Sequence, residues 1–220
     1  MSGQTKRYWS DDIDVTFEAG RCIHVAECLR GAPAVFDTSK RPWVQPANEP
    51  ADTVAAVVMR CPSGALHFQR KDGGRVEMAP EETVIWTPES NPLYVHGEFT
   101  LELPGEEESL HETRATLCRC GASRAKPFCD NSHRGTGFAA SGDLGENQAR
   151  VAPSPAPERL RIIPMANGPL RLRGDFRLVG GHGRAVYQGN RALLCRCGAS
   201  KNKPFCDSSH EKIGFQADGK

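Results

Sequence analysis

Nine cysteines fall into three groups of three, and this grouping constrains the chain more than any other feature. The trios are Cys22, Cys28 and Cys61; Cys118, Cys120 and Cys129; and Cys195, Cys197 and Cys206. An odd total argues against a disulfide framework. A thiol trio is what a metal or cluster site looks like before its remaining ligands are added. The second and third trios belong to a repeat. Residues 117–138 and 194–215 are identical at 16 of 22 positions, at a constant offset of 77. The same offset aligns 91–99 with 168–176, so the repeating unit covers roughly 81–138 and 158–215. Two copies make a duplication rather than a solenoid.

The composition suits small modules. With 38% hydrophobic residues, 22 Gly and 16 Pro, the chain favours turn-rich units over one large barrel. A net charge of +1 supplies no field for nucleic acid or an anionic membrane. The longest apolar run, 54–59, is far too short to span a bilayer. The first dozen residues contain no apolar signal region, so a cytoplasmic protein is expected. Within each copy the pattern is mostly β. Strands are expected over 83–86, 93–95 and 99–103, and over 160–163 and 170–172. A short helix is expected after Cys129 and after Cys206, with Asp130 and Asp207 accepting its first amide hydrogens.

Each copy carries C-x-C-x8-C-x3-H: Cys118, Cys120, Cys129 and His133, then Cys195, Cys197, Cys206 and His210. In an extended segment, residues i and i+2 point the same way, so each C-x-C can present two thiolates together. A Cys and a His four apart share one face of a helical turn. Three thiolates and an imidazole suit either structural zinc or a 2Fe–2S cluster. The one-residue C-x-C spacing is tight for zinc, but the spacing alone leaves both open.

The motif resembles the CDGSH iron–sulfur domain. Cys118, Cys120, Ser123, Pro127, Cys129, Asp130, Ser132 and His133 match it in the first copy. Cys195, Cys197, Ser200, Pro204, Cys206, Asp207, Ser209 and His210 match it in the second. The departure is at the motif's glycine, which is Asn131 and Ser208 here. The resemblance implies one 2Fe–2S cluster per motif, held by three Cys and one His. It also implies that a tandem chain is the covalent version of a dimer that single-motif members form. Four thiolates would leave the oxidised cluster at a charge of minus two; one neutral imidazole makes it minus one and easier to reduce. The imidazole is also the ligand most open to protonation near neutral pH.

The first seventy residues form a different module. Strand 15–17, helix 24–30 carrying Cys28 and helix 53–59 before Cys61-Pro62 are expected. Cys-Pro closes ferredoxin ligand runs. In a C-x2-C-x2-C run the middle cysteine would fall at Val25, which cannot ligate iron. Residues 22–28, 42–44 and 61–66 resemble a divergent mono-cluster ferredoxin domain, which implies 4Fe–4S. Three thiolates by themselves suit 3Fe–4S, and a 4Fe–4S cluster would need a fourth ligand. A cluster-free domain with three buried thiols is the plain alternative. His24 is assigned to packing or to a place behind the ligands.

The expected fold is therefore α+β: a small ferredoxin-like module over 1–72, a first CDGSH module over 73–143, a Pro-rich linker over 144–157 and a second CDGSH module over 158–220. The two CDGSH modules are expected to pack as an intramolecular pseudo-dimer within a monomer. The expected function is electron transfer, with 2Fe–2S cluster transfer or redox sensing as variants, toward a redox partner or apo-acceptor protein. No nucleophile–base pair or nucleotide loop appears, so no enzyme is expected. The alternative is a zinc-stapled structural or interaction protein.

Overall fold

The structure, a computed structural model, describes residues 5–145, 158–183 and 186–220. It divides into two units, Met1–Met78 and Ala79–Lys220. The Pro-rich linker, apart from 144–145, lies outside the described residues.

The first unit is a three-stranded antiparallel sheet with two short helices. Strands β1 (Thr5–Trp9), β2 (Ile13–Glu18) and β3 (Leu66–Arg70) lie in the order β1-β2-β3. Helix α1 (Glu27–Gly31) and helix α2 (Ala51–Val58) follow β2. Helix α2 buries Ala51, Val54, Ala55 and Val58, spaced as one face of a helix requires. That face joins Ile13, Val15 and Phe36 in one apolar core. Trp43 packs edge-on against Tyr8 and Phe17 beside it. The register pairs Phe17 with Leu66. That pairing brings the segment after β2, which holds Cys22, alongside the segment before β3, which holds Cys61. The helix expected over 24–30 is shorter than its pattern suggests. His24 and Ala26 adopt left-handed backbone angles, φ 54° and 61°, and the helix starts only at Glu27.

The second unit is one six-stranded sheet. Strands β4 (Val84–Thr87), β5 (Leu93–Leu101) and β6 (Leu110–Leu117) come from the first copy. Strands β7 (Leu160–Pro164), β8 (Leu170–Gly180) and β9 (Val186–Leu194) come from the second. Each copy is an antiparallel meander. The copies are joined by exchange: β4 pairs in parallel with β8, and β7 in parallel with β5. The registers are reciprocal. Val84 faces Arg177 and Arg161 faces Thr100, and adding 77 to 84 while subtracting 77 from 177 converts one pair into the other.

Three strands alone cannot bury both faces of a hairpin sheet. The exchange solves this with a single core drawn from both copies, including Leu93, Phe99, Leu117, Leu170, Phe176 and Leu194. The strands expected over 93–95 and 99–103 are one strand, β5, with a bulge between His96 and Phe99, and β8 repeats it between Arg173 and Phe176. Gly97 and Gly174 therefore mark bulges, not strand ends.

Candidate iron–sulfur sites

Strand β6 delivers Leu117 to the sheet and leaves Cys118 at its end, buried. The chain then turns through Gly121 and returns, with Leu117 bridged to Phe128. The amide of Cys118 donates to the Pro127 carbonyl at 2.9 Å and that of Cys129 to the Thr116 carbonyl at 2.9 Å. The second copy repeats this through Cys195 to Pro204 and Cys206 to Leu193, both at 2.8 Å. Cys118 and Cys120 thus stand with their sulfurs 3.7 Å apart, and Cys195 and Cys197 with theirs 3.8 Å apart. Cys129 Sγ lies 3.5 Å from His133 Nδ1, and Cys206 Sγ lies 3.4 Å from His210 Nδ1.

The approach of Cys to His does not come from a continuous helix, as the spacing suggests. Asn131 and Ser208 intervene with left-handed angles, φ 68° and 63°. Only then does a 3₁₀ turn (Ser132–Arg134) or the short helix α3 (Ser209–Lys212) carry the histidine. The motif's glycine position is thus a left-handed position that Asn and Ser occupy here. That turn aims amides at sulfur: Asn131 N–H donates to Cys129 Sγ at 3.3 Å and Ser208 N–H to Cys206 Sγ at 3.4 Å. In the second copy Ala199 N–H also donates to Cys197 Sγ, at 3.5 Å. These donors stabilise thiolate charge. Asp130 and Asp207 accept the amides of Ser132 and Ser209, both at 3.0 Å, one residue earlier than a formal cap. Burial raises both carboxyls, but hydrogen bonds from the Ser132 and Ser209 hydroxyls, and then from the Arg124 and Lys201 amides and those of the same serines, prevail and hold each at about 2. Ser123 and Ser200 close the ligand loop by donating to the Phe128 and Phe205 carbonyls, both at 2.7 Å. Their hydroxyls form the turn, while their backbone amides act on the thiols of Cys118 and Cys195.

Burial pushes Cys129 and Cys195 up to about 11. The hydrogen bond between Cys118 and Cys120 pushes Cys118 up and pulls Cys120 down to about 6. Burial pushes the His133 imidazole down, which favours its neutral, ligating form. The two copies differ in access: Cys129 and His133 are buried, whereas Cys206 and His210 are partly exposed.

The two C-x-C turns touch. Gly121 has φ +81°, and a Cβ there would stand 2.4 Å from the Cys197 carbonyl oxygen. Gly198 has φ +83°, and its Cβ would stand 2.4 Å from the Cys120 carbonyl oxygen. The residue types at Arg119 and Arg196 carried no expectation from sequence. They are the two largest fully buried side chains, at 2% and 1% exposure. Their identity in both copies, with that of Phe138 and Phe215, is the sequence signal that marks them.

In the first unit, Cys22, Cys28 and Cys61 line one cavity with His24, Trp43 and Ser63. Cys22 Sγ lies 3.9 Å from His24 Nδ1, and Cys61 Sγ lies 3.5 Å from Ser63 Oγ. Burial pushes Cys28 up to about 11 and Cys22 in the same direction. All nine cysteines are free thiols. No helix among the described residues is long and apolar enough to cross a membrane.

The family described as iron-binding zinc finger CDGSH type matches residues 90–134 and 167–211. The family described as divergent 4Fe-4S mono-cluster matches residues 8–71. The N-terminal region is similar to "Uncharacterized protein YjdI" from Escherichia coli strains K12 and O157:H7. Each is 35% identical over 71 residues, covering 32% of this chain and 93% of that protein. No solved structure matches the chain. Sites and matches together define an iron–sulfur-binding protein. The chain carries two CDGSH-type domains behind a divergent 4Fe–4S mono-cluster domain.

Proposed function

We propose that the chain is an electron carrier with two 2Fe–2S clusters, one on each C-x-C-x8-C-x3-H motif, and a third cluster on Cys22, Cys28 and Cys61. The observation that carries this is the pairing of donors. A thiolate about 2.3 Å from a tetrahedral metal and a second at the same distance stand about 3.8 Å apart; replacing one by imidazole shortens this to about 3.6 Å. The distances of 3.7 and 3.8 Å for Cys–Cys, and 3.5 and 3.4 Å for Cys–His, are such tetrahedral edges. Among the described residues, no group of three His, Cys, Asp or Glu side chains converges on one ion position. Two donors per metal, with two bridging sulfides completing each tetrahedron, suit a dinuclear cluster better than a single zinc ion. Such a cluster supplies one-electron chemistry when bound.

The chain's own part is to hold that charge. Backbone amides point at the sulfurs, the buried sheet end shields Cys118 and Cys195 from water, and His133 is kept neutral. The reciprocal pairing of β4 with β8 and β7 with β5 supports the reading of the two copies as one intramolecular pseudo-dimer, complete in a monomer. In the first unit three thiolates favour 3Fe–4S, with 4Fe–4S as the form that a fourth ligand would allow. The partner is read as a redox or apo-acceptor protein, and cluster transfer or sensing are variants of the same chemistry. Free thiols throughout suit a reducing compartment such as the cytoplasm.

The test is spectroscopic. Anaerobically prepared protein is expected to show visible charge-transfer bands and, when oxidised, a 3Fe–4S EPR signal lost on Cys61→Ser. A colourless zinc protein would defeat the reading. A coloured protein without that signal would defeat only the assignment at the first unit.

A further inference from the structure

We infer that Arg196 and Arg119 act across the duplication, each placing a buried positive charge that raises the reduction potential of the cluster held by the other copy. This rests on the reading of the two motifs as 2Fe–2S sites.

The two guanidinium groups are buried without a carboxylate partner among the described residues. Arg196 donates to the carbonyls of Met165 at 2.6 Å, Asp218 at 2.9 Å, Gly168 at 3.0 Å and Ala217 at 3.5 Å. Arg119 donates to the carbonyls of Asn91, at 2.6 Å, and Pro88. Carbonyl dipoles orient a guanidinium but do not neutralise it, and a buried unpaired charge is strongly unfavourable. An anion is needed nearby: the Asp218 carboxylate acts on Arg196 from beyond ion-pair distance, and the other anions this unit is built to hold are the clusters.

Geometry points each arginine across. The backbones of the two C-x-C segments are in contact, with Gly121 against Cys197 and Gly198 against Cys120. The Arg196 guanidinium lies 5.6 Å from the Phe215 ring centre, and Lys126, from the ligand loop of the first copy, lies 6.0 Å from the same ring. Phe138 is flanked in the same way by Arg119, at 5.6 Å, and by Lys203 of the second copy, at 6.0 Å. Arg196 feels the field of Cys118 first and that of Asp218 in its own copy after it, and Arg119 feels that of Cys195. Arg119 also acts on His133 of its own copy, so Arg196 is the cleaner case. Adding an electron takes such a cluster from minus one to minus two. A fixed positive charge in a water-poor interior favours that step.

The experiment titrates the full chain with dithionite in the presence of mediators, following the EPR signals of the reduced clusters. It is run in a His210→Cys background, where the second cluster has four thiolates and is reduced last, so the first wave reports the first copy. Arg196→Gln is expected to move that first wave down by about tenfold in the reduction equilibrium constant, about 59 mV for one electron. Arg196→Lys, which keeps the charge but not the fork of hydrogen bonds, is expected to leave the wave near its original place. If Gln leaves the first wave unmoved and shifts only the second, each arginine serves its own copy and the inference fails. It fails equally if Lys shifts the first wave as far as Gln, because charge is then not the cause. Should the Gln variant not fold, Arg196→Met, which removes the charge and keeps a long side chain, takes its place in the same comparison with Lys. If the unsubstituted chain shows no 2Fe–2S signal, the underlying reading falls and takes this one with it.

Discussion

Gly121→Ala is expected to empty both CDGSH sites, and Gly198→Ala to do the same. Each glycine has a left-handed φ, +81° or +83°, and in each case an added Cβ would meet a carbonyl oxygen at 2.4 Å. The opposing atom is backbone, so it cannot swing aside as a side-chain end would. That carbonyl belongs to a candidate ligand of the other copy: Cys197 for Gly121, Cys120 for Gly198. One methyl group therefore pushes on two sites. Left-handed strain and the clash together amount to roughly 3 kcal/mol or more. Iron per chain is expected to fall from about seven to about three, the remainder sitting in the first unit. Gly20→Ala is the control, because a Cβ there meets nothing within 4 Å. Iron analysis after gel filtration checks this. Loss of only the substituted copy's iron would show that the two turns do not depend on each other.

The second large effect concerns the histidines. His133→Cys and His210→Cys are each expected to slow acid loss of the cluster in that copy and to lower its potential by on the order of 100 mV or more. Thiolate adds a negative charge, and it replaces an imidazole that ordinarily takes up a proton near pH 6.5. The sign for the unsubstituted sites follows from burial. His133 is pushed below its ordinary value, so its neutral form survives to lower pH. His210 and Cys206 are partly exposed, so water reaches the second site more readily. At mildly acidic pH the more exposed second copy is expected to bleach first. His210→Cys should therefore remove the faster phase and His133→Cys the slower. Absorbance against time at mildly acidic pH reads both. A double variant that bleaches as fast as the unsubstituted chain would show that the histidines are not the weak ligands.

Much of the CDGSH part was legible because its chemistry is local. The repeat at offset 77 and the C-x-C-x8-C-x3-H spacing identify Cys118, Cys120, Cys129, His133 and their counterparts without any knowledge of the fold. What stayed hidden is non-local. Nothing in 84–87 or 160–164 says that each strand pairs with the opposite copy, because parallel partners far apart in sequence leave no periodic mark. Gly97 and Gly174 look like strand breakers because a bulge and a turn use the same residue. The helix expected at His24 gave way to two left-handed residues, a choice set by wrapping the chain round a cavity and not by propensity. Arg119 and Arg196 look like surface charges by residue type; the repeat marks both positions, and burial shows that they are interior. Strands β6 and β9 mix polar and apolar positions, so burial against the other copy was needed to define them.

The central claim is that one chain folds two of its segments into a single pair of 2Fe–2S sites beside a separate third cluster. Native mass spectrometry of the anaerobically purified full chain tests it most directly, since it weighs protein, iron and sulfide together. The expected species is a single polypeptide carrying two 2Fe–2S units and one further iron–sulfur cluster. Zinc in place of iron at the two motifs, one 2Fe–2S unit per chain, or 2Fe–2S units seen only when two chains associate would contradict it.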